Sequence, residues 1–314
     1  MRVVISLGDS AFLQKSQPLK VHLLQKSIQL AASAVAKIAG IHQSIILHNN
    51  GPQIGMLTLM HSSSEELSLS SADVIGAQSR GVIGLWLEQE LRNSLPDNTV
   101  CSLINLTAID ANDPALMEPT LYCGPVYTRV QAQLVQEQNP GWKLVKDGQY
   151  YRRLIATPEP KEIMELPVLK QLIASDRTTV ICGSGGGLPV CRSDSGQIHG
   201  IEAAINQDQS AALIAEGIEA DALLLLSATE ALAEPVETAQ PRLIKAVTPE
   251  KLVAAGFTHP GIKARIRAAR YFISSTADTG RLCAMGSLFN AMDVLSGTSG
   301  TRVANDVQDS ITYY

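Results

Sequence analysis

The sequence is poor in aromatic residues and has no long apolar run. Only 4% of the 314 residues are Phe, Trp or Tyr, although 45% are hydrophobic. The core is therefore expected to be aliphatic, which suits buried parallel strands covered by helices. No stretch of about 18 apolar residues is present, and the first apolar run, residues 3–7, is too short for a signal sequence. These absences predict a cytoplasmic protein without a membrane partner.

A strong charge of either sign is also missing, and so is any paired cysteine motif. The formal net charge is −5, and the basic residues are scattered except for the cluster Lys263, Arg265, Arg267 and Arg270, whose spacing is typical of a solvated helix face. This pattern predicts no nucleic-acid partner. The five cysteines contain no C-x-x-C pair, so they indicate reduced core residues rather than a metal site.

Short apolar runs alternate with helical patterns along most of the chain. The strand-like runs are residues 3–7, 44–48, 101–106, 179–182, 222–226 and 282–286. Residues 24–38 and 74–91 show helical spacing between them. This alternation predicts a largely parallel sheet with crossover helices. A proline-rich polar stretch, residues 112–160, interrupts the pattern and is expected to stand off the sheet.

Two glycine-containing turns follow predicted strands. The first is Leu7-Gly8-Asp9-Ser10, where backbone N–H groups could bind an anion but the Asp9 carboxylate would repel it. The second, residues 183–189, is placed for a ligand at the carboxyl edge of a sheet. It matches neither the P-loop nor the G-x-G-x-x-G pattern, because Leu188 holds the last glycine position. The first turn therefore indicates a phosphate site that has been altered, and the second indicates a ligand site.

Seven segments, in order, resemble the carbamate kinases, a branch of the amino acid kinase family. Residues 48–55, HNNGPQIG, resemble that family's H-G-N-G-P-Q-V-G turn, and residues 77–84, AQSRGVIG, resemble its E-S-Q-G-M-I-G helix. The other matches are residues 110–115, 124–127, 151–153, 157–161 and the closing G-x-x-G-T-R at 297–302. The resemblance covers nearly the whole chain.

The resemblance implies a fold, an assembly and a reaction. It implies one domain over residues 1–314, an α/β three-layer αβα sandwich with a largely parallel central sheet, from which a subdomain of roughly residues 118–153 protrudes. It also implies a homodimer and phosphoryl transfer between ATP and carbamate, run from carbamoyl phosphate and ADP toward ATP with Mg²⁺. In such chemistry the protein mainly positions groups and neutralises charge.

The resemblance also assigns roles to single residues. It gives catalytic roles to Lys263 and Asp208, and no residue is assigned as a metal ligand. The residues implied to bind substrate or phosphate are Gly8, Asp9, Ser10, Asn50 and Gly51. The residues implied to bind nucleotide are Gly185, Gly186, Gly187, Ser227 and Gly261.

Simpler structural explanations stand beside these roles. Lys263 fits a basic helix face shared with Arg267 and Arg270. Asp208 fits a carboxylate at a helix start, which stabilises the helix by at most about 1 kcal/mol. The 183–187 loop fits a tight connection between a strand and a helix.

The chain departs from the family pattern at positions that should carry charge. Asp9 replaces a glycine, while Leu121 and Gln207 each replace a lysine, so Lys263 alone remains of three family lysines. Removing one preorganised donor costs about 3 kcal/mol, or roughly 10²- to 10³-fold in rate. Two lost lysines predict a poor carbamate kinase, unless Lys15, Lys20 or Arg80 supplies the missing charge.

Other functions stay open at this point. The chain could be a catalytically degenerate homologue retained as a binding or regulatory partner, pairing with an active paralogue. It could also act on a changed substrate whose cationic or neutral group pairs with Asp9. A GDS-type hydrolase would use Ser10 as nucleophile, but it needs an Asp-x-x-His pair, and Gly256 stands three residues before the last histidine, His259.

Overall fold

The structure is a computed structural model that describes residues 1–8, 20–62, 71–235, 241–275 and 280–314. The predictions for Asp9, Ser10 and Lys15 therefore lie outside the described residues. Among the described residues, no helix is both long and apolar enough to cross a bilayer.

The described strands, in chain order, are β1 (Arg2–Leu7), β2 (Gln43–His48), β3 (Thr99–Ser102), β4 (Leu106–Ile109), β5 (Leu121–Tyr127), β6 (Lys143–Asp147), β7 (Tyr150–Ile155), β8 (Pro160–Ile163), β9 (Thr178–Ile181), β10 (Leu188–Arg192), β11 (Ile198–Gly200), β12 (Ala222–Ser227), β13 (Ile244–Val247), β14 (Leu282–Ser287), β15 (Thr301–Val303) and β16 (Ile311–Tyr313). The described α-helices are α1 (Val21–Ala39), α2 (Gly51–Ser62), α3 (Ala72–Ser94), α4 (Arg129–Gln138), α5 (Leu166–Leu172), α6 (Gln207–Gly217), α7 (Pro249–Ala254), α8 (Pro260–Ser274) and α9 (Ala291–Leu295).

A nine-stranded sheet forms the centre of the molecule, with strand order β16-β13-β15-β14-β12-β1-β2-β9-β3. The strands from β14 to β3 are mutually parallel, whereas β15 and β16 each pair antiparallel with a neighbour. In the register of β1, Leu7 lies opposite both His48 of β2 and Leu226 of β12. The carboxyl ends of these three strands therefore meet at one edge.

Two aliphatic cores flank this sheet. Side chains alternate along a strand, so Val4 packs in one core with residues of α6 and α8, whereas Val3 and Ile5 pack in the other with residues of α1 and α3. The apolar spacing of residues 24–38 accounts for α1, whose buried stripe includes Leu24 and Ile28. The predicted fold class, a three-layer αβα sandwich with a largely parallel sheet, is confirmed.

The predicted strand at residues 101–106 is wrong as a single strand, because the chain changes sheets there. Ser102 ends β3 in the central sheet, and Leu106 begins β4 in a four-stranded sheet of order β11-β10-β4-β8. Asn105, which is buried, lies at the crossing. Its Oδ1 accepts from the Gly183 N–H at 3.0 Å, and its carbonyl accepts from the Leu188 N–H at 2.9 Å. The apolar run is thus split between two sheets, with Asn105 buried and Ile104 exposed between them.

A separate three-stranded sheet, β5-β7-β6, packs with α4 between residues 121 and 155. Strand β5 contacts α2 of the main body. Arg153 of β7 stacks on the Trp142 ring, 3.7 Å from its centroid, and pairs with Glu202 of the main body at 2.7 Å. Strand β5 thus holds the small sheet against α2, and the Arg153–Glu202 ion pair joins it to the segment after β11.

Candidate active site at the carboxyl edge of the central sheet

Four segments singled out by the sequence lie at the carboxyl edge of the central sheet. Gly8 follows β1, Asn50 and Gly51 follow β2, the glycine loop 183–187 follows β9, and Ser227 ends β12. Parallel strands present their carboxyl ends on one side, where α/β folds bind ligands. The fold therefore brings these segments together.

Gln207 joins two of these segments. This first residue of α6 is 6% exposed, and its Nε2 donates to Ser6 Oγ at 2.9 Å and to the Leu7 carbonyl at 3.0 Å. Its Oε1 accepts from the Gly185 N–H at 3.3 Å. The neutral side chain that replaces a family lysine thus ties the end of β1 to the glycine loop.

Asp208 lies beside Gln207 in the first turn of α6 and is also buried. Its Oδ1 accepts from Ser6 Oγ at 2.6 Å, and its Oδ2 forms an ion pair with Arg265 Nε at 3.1 Å. Asp208 is therefore more than a helix-capping charge, because it links β1 to α8 through α6.

Arg265 is the site residue that the sequence interpretation missed. The prediction of a solvated helix face is wrong for this residue, whose side chain is 17% exposed. Besides Nε on Asp208, Nη1 donates to Ser227 Oγ at 3.1 Å. Nη2 lies against Gly8, where an added Cβ would stand 2.5 Å from it. Gly8 therefore leaves room for the guanidinium to approach the end of β1.

The inward orientation of Arg265 could have been predicted from its position in the helical repeat of α8. Residues two apart on a helix face different directions, so Arg265 cannot share the face of Lys263 and Arg267, which are both exposed. Arg265 instead precedes Ala269 and Phe272 by four and seven residues, and both of those are buried. The basic cluster thus divides into an exposed face and one inward-facing arginine.

Lys263 and Gly261 lie at the exposed start of α8. The Gly261 N–H donates to Nδ1 of the N-cap residue His259 at 3.2 Å, and the Lys263 N–H donates to the His259 carbonyl at 3.0 Å. Their roles in binding nucleotide and in catalysis stay predictions.

The glycine loop has a backbone that favours glycine. Gly185, Gly186 and Gly187 have φ of 57°, 83° and 84°, in the left-handed range. Besides the Gly185 N–H bond to Gln207, the N–H groups of Gly186 and Gly187 donate to the carbonyls of Gly183 and Ser184 at 2.9 and 3.0 Å. The loop N–H groups are thus used within the chain.

Arg80 of α3 holds the glycine loop through hydrogen bonds to its carbonyls. Its guanidinium donates to the carbonyls of Ser184 at 2.7 Å, Gly185 at 3.1 Å and Gly187 at 3.0 Å. Burial lowers the pKa of Arg80 to about 10, so it stays charged at neutral pH. Arg80 was a candidate to replace the missing charge, but these donors are occupied by loop carbonyls. The second candidate, Lys20, is exposed at the N-cap of α1.

The turn after β2 touches the glycine loop. Asn50 is 2% exposed and its Nδ2 donates to Ser79 Oγ at 2.7 Å, while Asn49 Oδ1 accepts from the Gly51 N–H at 3.0 Å. Asn50 Oδ1 also lies beside Gly185, where it would block an added Cβ. The turn implied for substrate and the loop implied for nucleotide are therefore direct neighbours.

The last residue of β2, His48, is buried next to this turn. Burial lowers its pKa to about 4, so its imidazole is neutral at physiological pH. The other lost lysine position, Leu121, begins β5 in the small sheet and is exposed.

Comparison with known proteins agrees with this geometry. The model of the amino acid kinase family matches residues 1–279. A carbamate kinase of Haemophilus influenzae is 34% identical over 318 residues, covering 100% of both chains, and one of Rhizobium meliloti is 35% identical over 317 residues, covering 100% of this chain and 96% of the relative. A solved carbamate kinase of Giardia lamblia bound to AMP-PNP is 29% identical, with a TM-score of 0.88 and coverage of 96% of this chain and 98% of that one. The chain therefore belongs to the carbamate kinase branch of the amino acid kinase family.

Proposed function

We propose that this protein transfers the phosphoryl group of carbamoyl phosphate to ADP, forming ATP and releasing carbamate. The P–O bond to the carbamoyl oxygen breaks, and a bond forms from phosphorus to a terminal oxygen of ADP. The observation that carries the proposal is the convergence of three segments at one sheet edge. Gln207 joins β1 to the glycine loop, and Gly185 lies against Asn50.

In this proposal each segment has one task. The glycine loop, Ser227 and Gly261 bind the nucleotide, and the turn at Asn50 and Gly51 binds the carbamoyl end. Lys263 neutralises charge on the moving phosphoryl group. Such a division of tasks suits phosphoryl transfer, in which positioning and electrostatics supply most of the catalysis.

Magnesium in this proposal enters with the nucleotide. Mg²⁺ prefers oxygen ligands and keeps several waters, with phosphates and one or two carboxylates completing its shell. Both Asp208 oxygens already accept hydrogen bonds, from Ser6 and Arg265. The residues therefore fit a Mg²⁺ held mainly by nucleotide phosphates and water, and the ion would supply charge neutralisation there. The working form we propose is a cytoplasmic homodimer of a single domain, with the small sheet as its protruding subdomain.

The test is ATP formation from carbamoyl phosphate and magnesium ADP by the purified protein. We expect turnover that falls by roughly 10²-fold in Lys263→Ala, the size of one lost electrostatic donor. Arg270→Ala, on the exposed side of the same helix, is the matched control and is expected to keep the wild-type rate. Equal rates in wild type and Lys263→Ala would overturn the proposal, because a contaminating kinase would explain them.

A second function, a non-catalytic binding or regulatory relative, is favoured by one observation. The N–H groups of Gly8, Gly51 and Gly185 to Gly187 already donate to acceptors within the chain. Tight binding of ADP without ATP formation would support this second function.

A further inference from the structure

We propose that Arg265 contacts the phosphate of the bound ligand and supplies the positive charge that the neutral Gln207 does not. The inference rests on the proposed function in taking a phosphate-bearing ligand at this sheet edge. Arg265 is on α8, two residues beyond the lysine that the sequence comparison singled out.

The guanidinium is held at two of its three nitrogens. Nε is fixed by Asp208 and Nη1 by Ser227 Oγ, both at 3.1 Å. Nη2 faces Gly8, and no acceptor among the described residues bonds to it. Because the guanidinium is planar, fixing two nitrogens also fixes the direction of the third. The position of Nη2 against Gly8, at the carboxyl end of β1, is therefore fixed.

Other described donors near Gly8 are already engaged. The Gly8 N–H donates to the Leu226 carbonyl at 2.9 Å, and the Gly185 N–H donates to Gln207. Arg80 donates Nε and Nη2 to carbonyls of the glycine loop. Arg265 Nη2 is thus a charged donor that no described acceptor engages, and arginine forms strong charge-assisted bonds to phosphate.

The identity of residue 8 supports the same inference. A purely structural ion pair between Arg265 and Asp208 would not need an empty space at the end of β1. Yet any side chain at residue 8 would collide with Nη2, at 2.5 Å from Cβ. The missing side chain lets the guanidinium reach the carboxyl end of β1, where a phosphate at this sheet edge would lie.

The charge of the pair sets the size of the expected effect. Asp208 partly neutralises Arg265 at 3.1 Å, so the expected effect is that of a charge-assisted hydrogen bond and not that of a full isolated charge. Removing a hydrogen bond to a charged group weakens binding by roughly 10- to 100-fold. An interaction with phosphate alone leaves the affinity for the nucleoside unchanged.

The experiment compares the affinities of ADP and adenosine by titration calorimetry. Arg265→Gln removes the charge, and Arg270→Gln removes an exposed charge from the same helix as the matched control. We expect Arg265→Gln to weaken ADP by roughly 10- to 100-fold, with adenosine unchanged and the control like wild type. Arg265→Lys keeps the charge without the planar guanidinium, and its ADP affinity is expected to lie between those of wild type and Arg265→Gln. This variant keeps the inference testable if Arg265→Gln does not fold.

Two results would overturn the inference. ADP affinity of Arg265→Gln within twofold of wild type would show that the arginine does not contact phosphate. Equal weakening of ADP and adenosine would show a structural role only. The proposed function can fail separately. If ADP binding depends on Arg265 but no ATP forms, the inference stands and the proposed function does not. If ATP forms at the same rate without Arg265, the proposed function stands and the inference does not. Wild-type protein that binds no ADP at millimolar concentration would contradict both.

Discussion

Arg265 Nε lies 3.1 Å from Asp208 Oδ2, and this ion pair joins two helices from distant parts of the chain at the sheet edge. Their side chains are 17% and 11% exposed, so the pair is largely withdrawn from water. Ser6 of β1 donates to the same carboxylate at 2.6 Å. The pair therefore couples the stability of the α6–α8 contact to the geometry of the candidate phosphate site.

Asp208→Asn tests this coupling. The variant leaves the Arg265 charge without its carboxylate, which in a buried pair costs about 3 kcal/mol, and somewhat less here because the pair keeps some solvent contact. We expect the free energy of unfolding, measured by urea denaturation, to drop by about 2 kcal/mol. Asp306→Asn, which breaks the more exposed pair with Arg302, is the control and is expected to cost under about 1 kcal/mol. Equal losses in the two variants would contradict the account of Asp208.

Gly8→Ala tests the close approach of Arg265 to the end of β1. The new Cβ would stand 2.5 Å from Nη2, so the guanidinium must move away. We expect ADP affinity to fall by roughly tenfold, the loss of one charged hydrogen bond. Gly141→Ala, where the added Cβ meets no atom within 4 Å, is the control for calorimetry. Unchanged ADP affinity in Gly8→Ala would show that Nη2 has no part in binding.

Gln207→Lys tests whether charge limits the rate. A lysine at this position adds the cation that the family pattern has at the start of α6, at the cost of the amide bonds to Leu7 and Gly185. We expect ATP formation to rise by about tenfold or more, because a preorganised cation stabilises the transferring phosphoryl group. Gln209→Lys, two residues along the helix and on a different face, is the control for a general charge effect. The same gain in both variants, or none in Gln207→Lys, would refute a local charge deficit.

His48 predicts an acid-sensitive fold. Burial lowers its pKa from the usual 6.5 to about 4, so the unfolded chain binds a proton between these pH values and the folded chain does not. Stability therefore falls as the pH drops from 6.5 to 4, by up to about 3 kcal/mol from this residue. His48→Gln is expected to show a shallower decline in unfolding free energy over this range, while the exposed control His199→Gln keeps the wild-type slope. Parallel curves for wild type and His48→Gln would contradict this assignment.

The strands were predictable where burial is continuous. The run 222–226 is apolar throughout, and the run 3–7 is apolar except for Ser6, because parallel strands under two helix layers are buried on both faces. The run at 101–106 was predicted as one strand because its apolar residues do not show that the chain changes sheets at Asn105.

The candidate site was predictable as a set of segments, but its charges were not. Gln207 was recognised as a substitution, yet its bonds to Leu7 and Gly185 depend on strands and loops that meet only in the fold. Arg80 was considered as a phosphate-binding cation, but its guanidinium donates to carbonyls of the glycine loop. Arg265 was overlooked because a basic cluster was interpreted as one face, when helical phase separates it from Lys263.

The most direct test of the central claim is kcat/KM for ATP formation by wild type, Arg265→Gln and Arg270→Gln in the presence of carbamoyl phosphate and magnesium ADP. The proposal of a phosphoryl-transfer site charged by Arg265 predicts measurable turnover by wild type and Arg270→Gln, with a loss of roughly 10²-fold or more in Arg265→Gln. Equal values for wild type and Arg265→Gln, or no turnover by any of the three proteins, would contradict it.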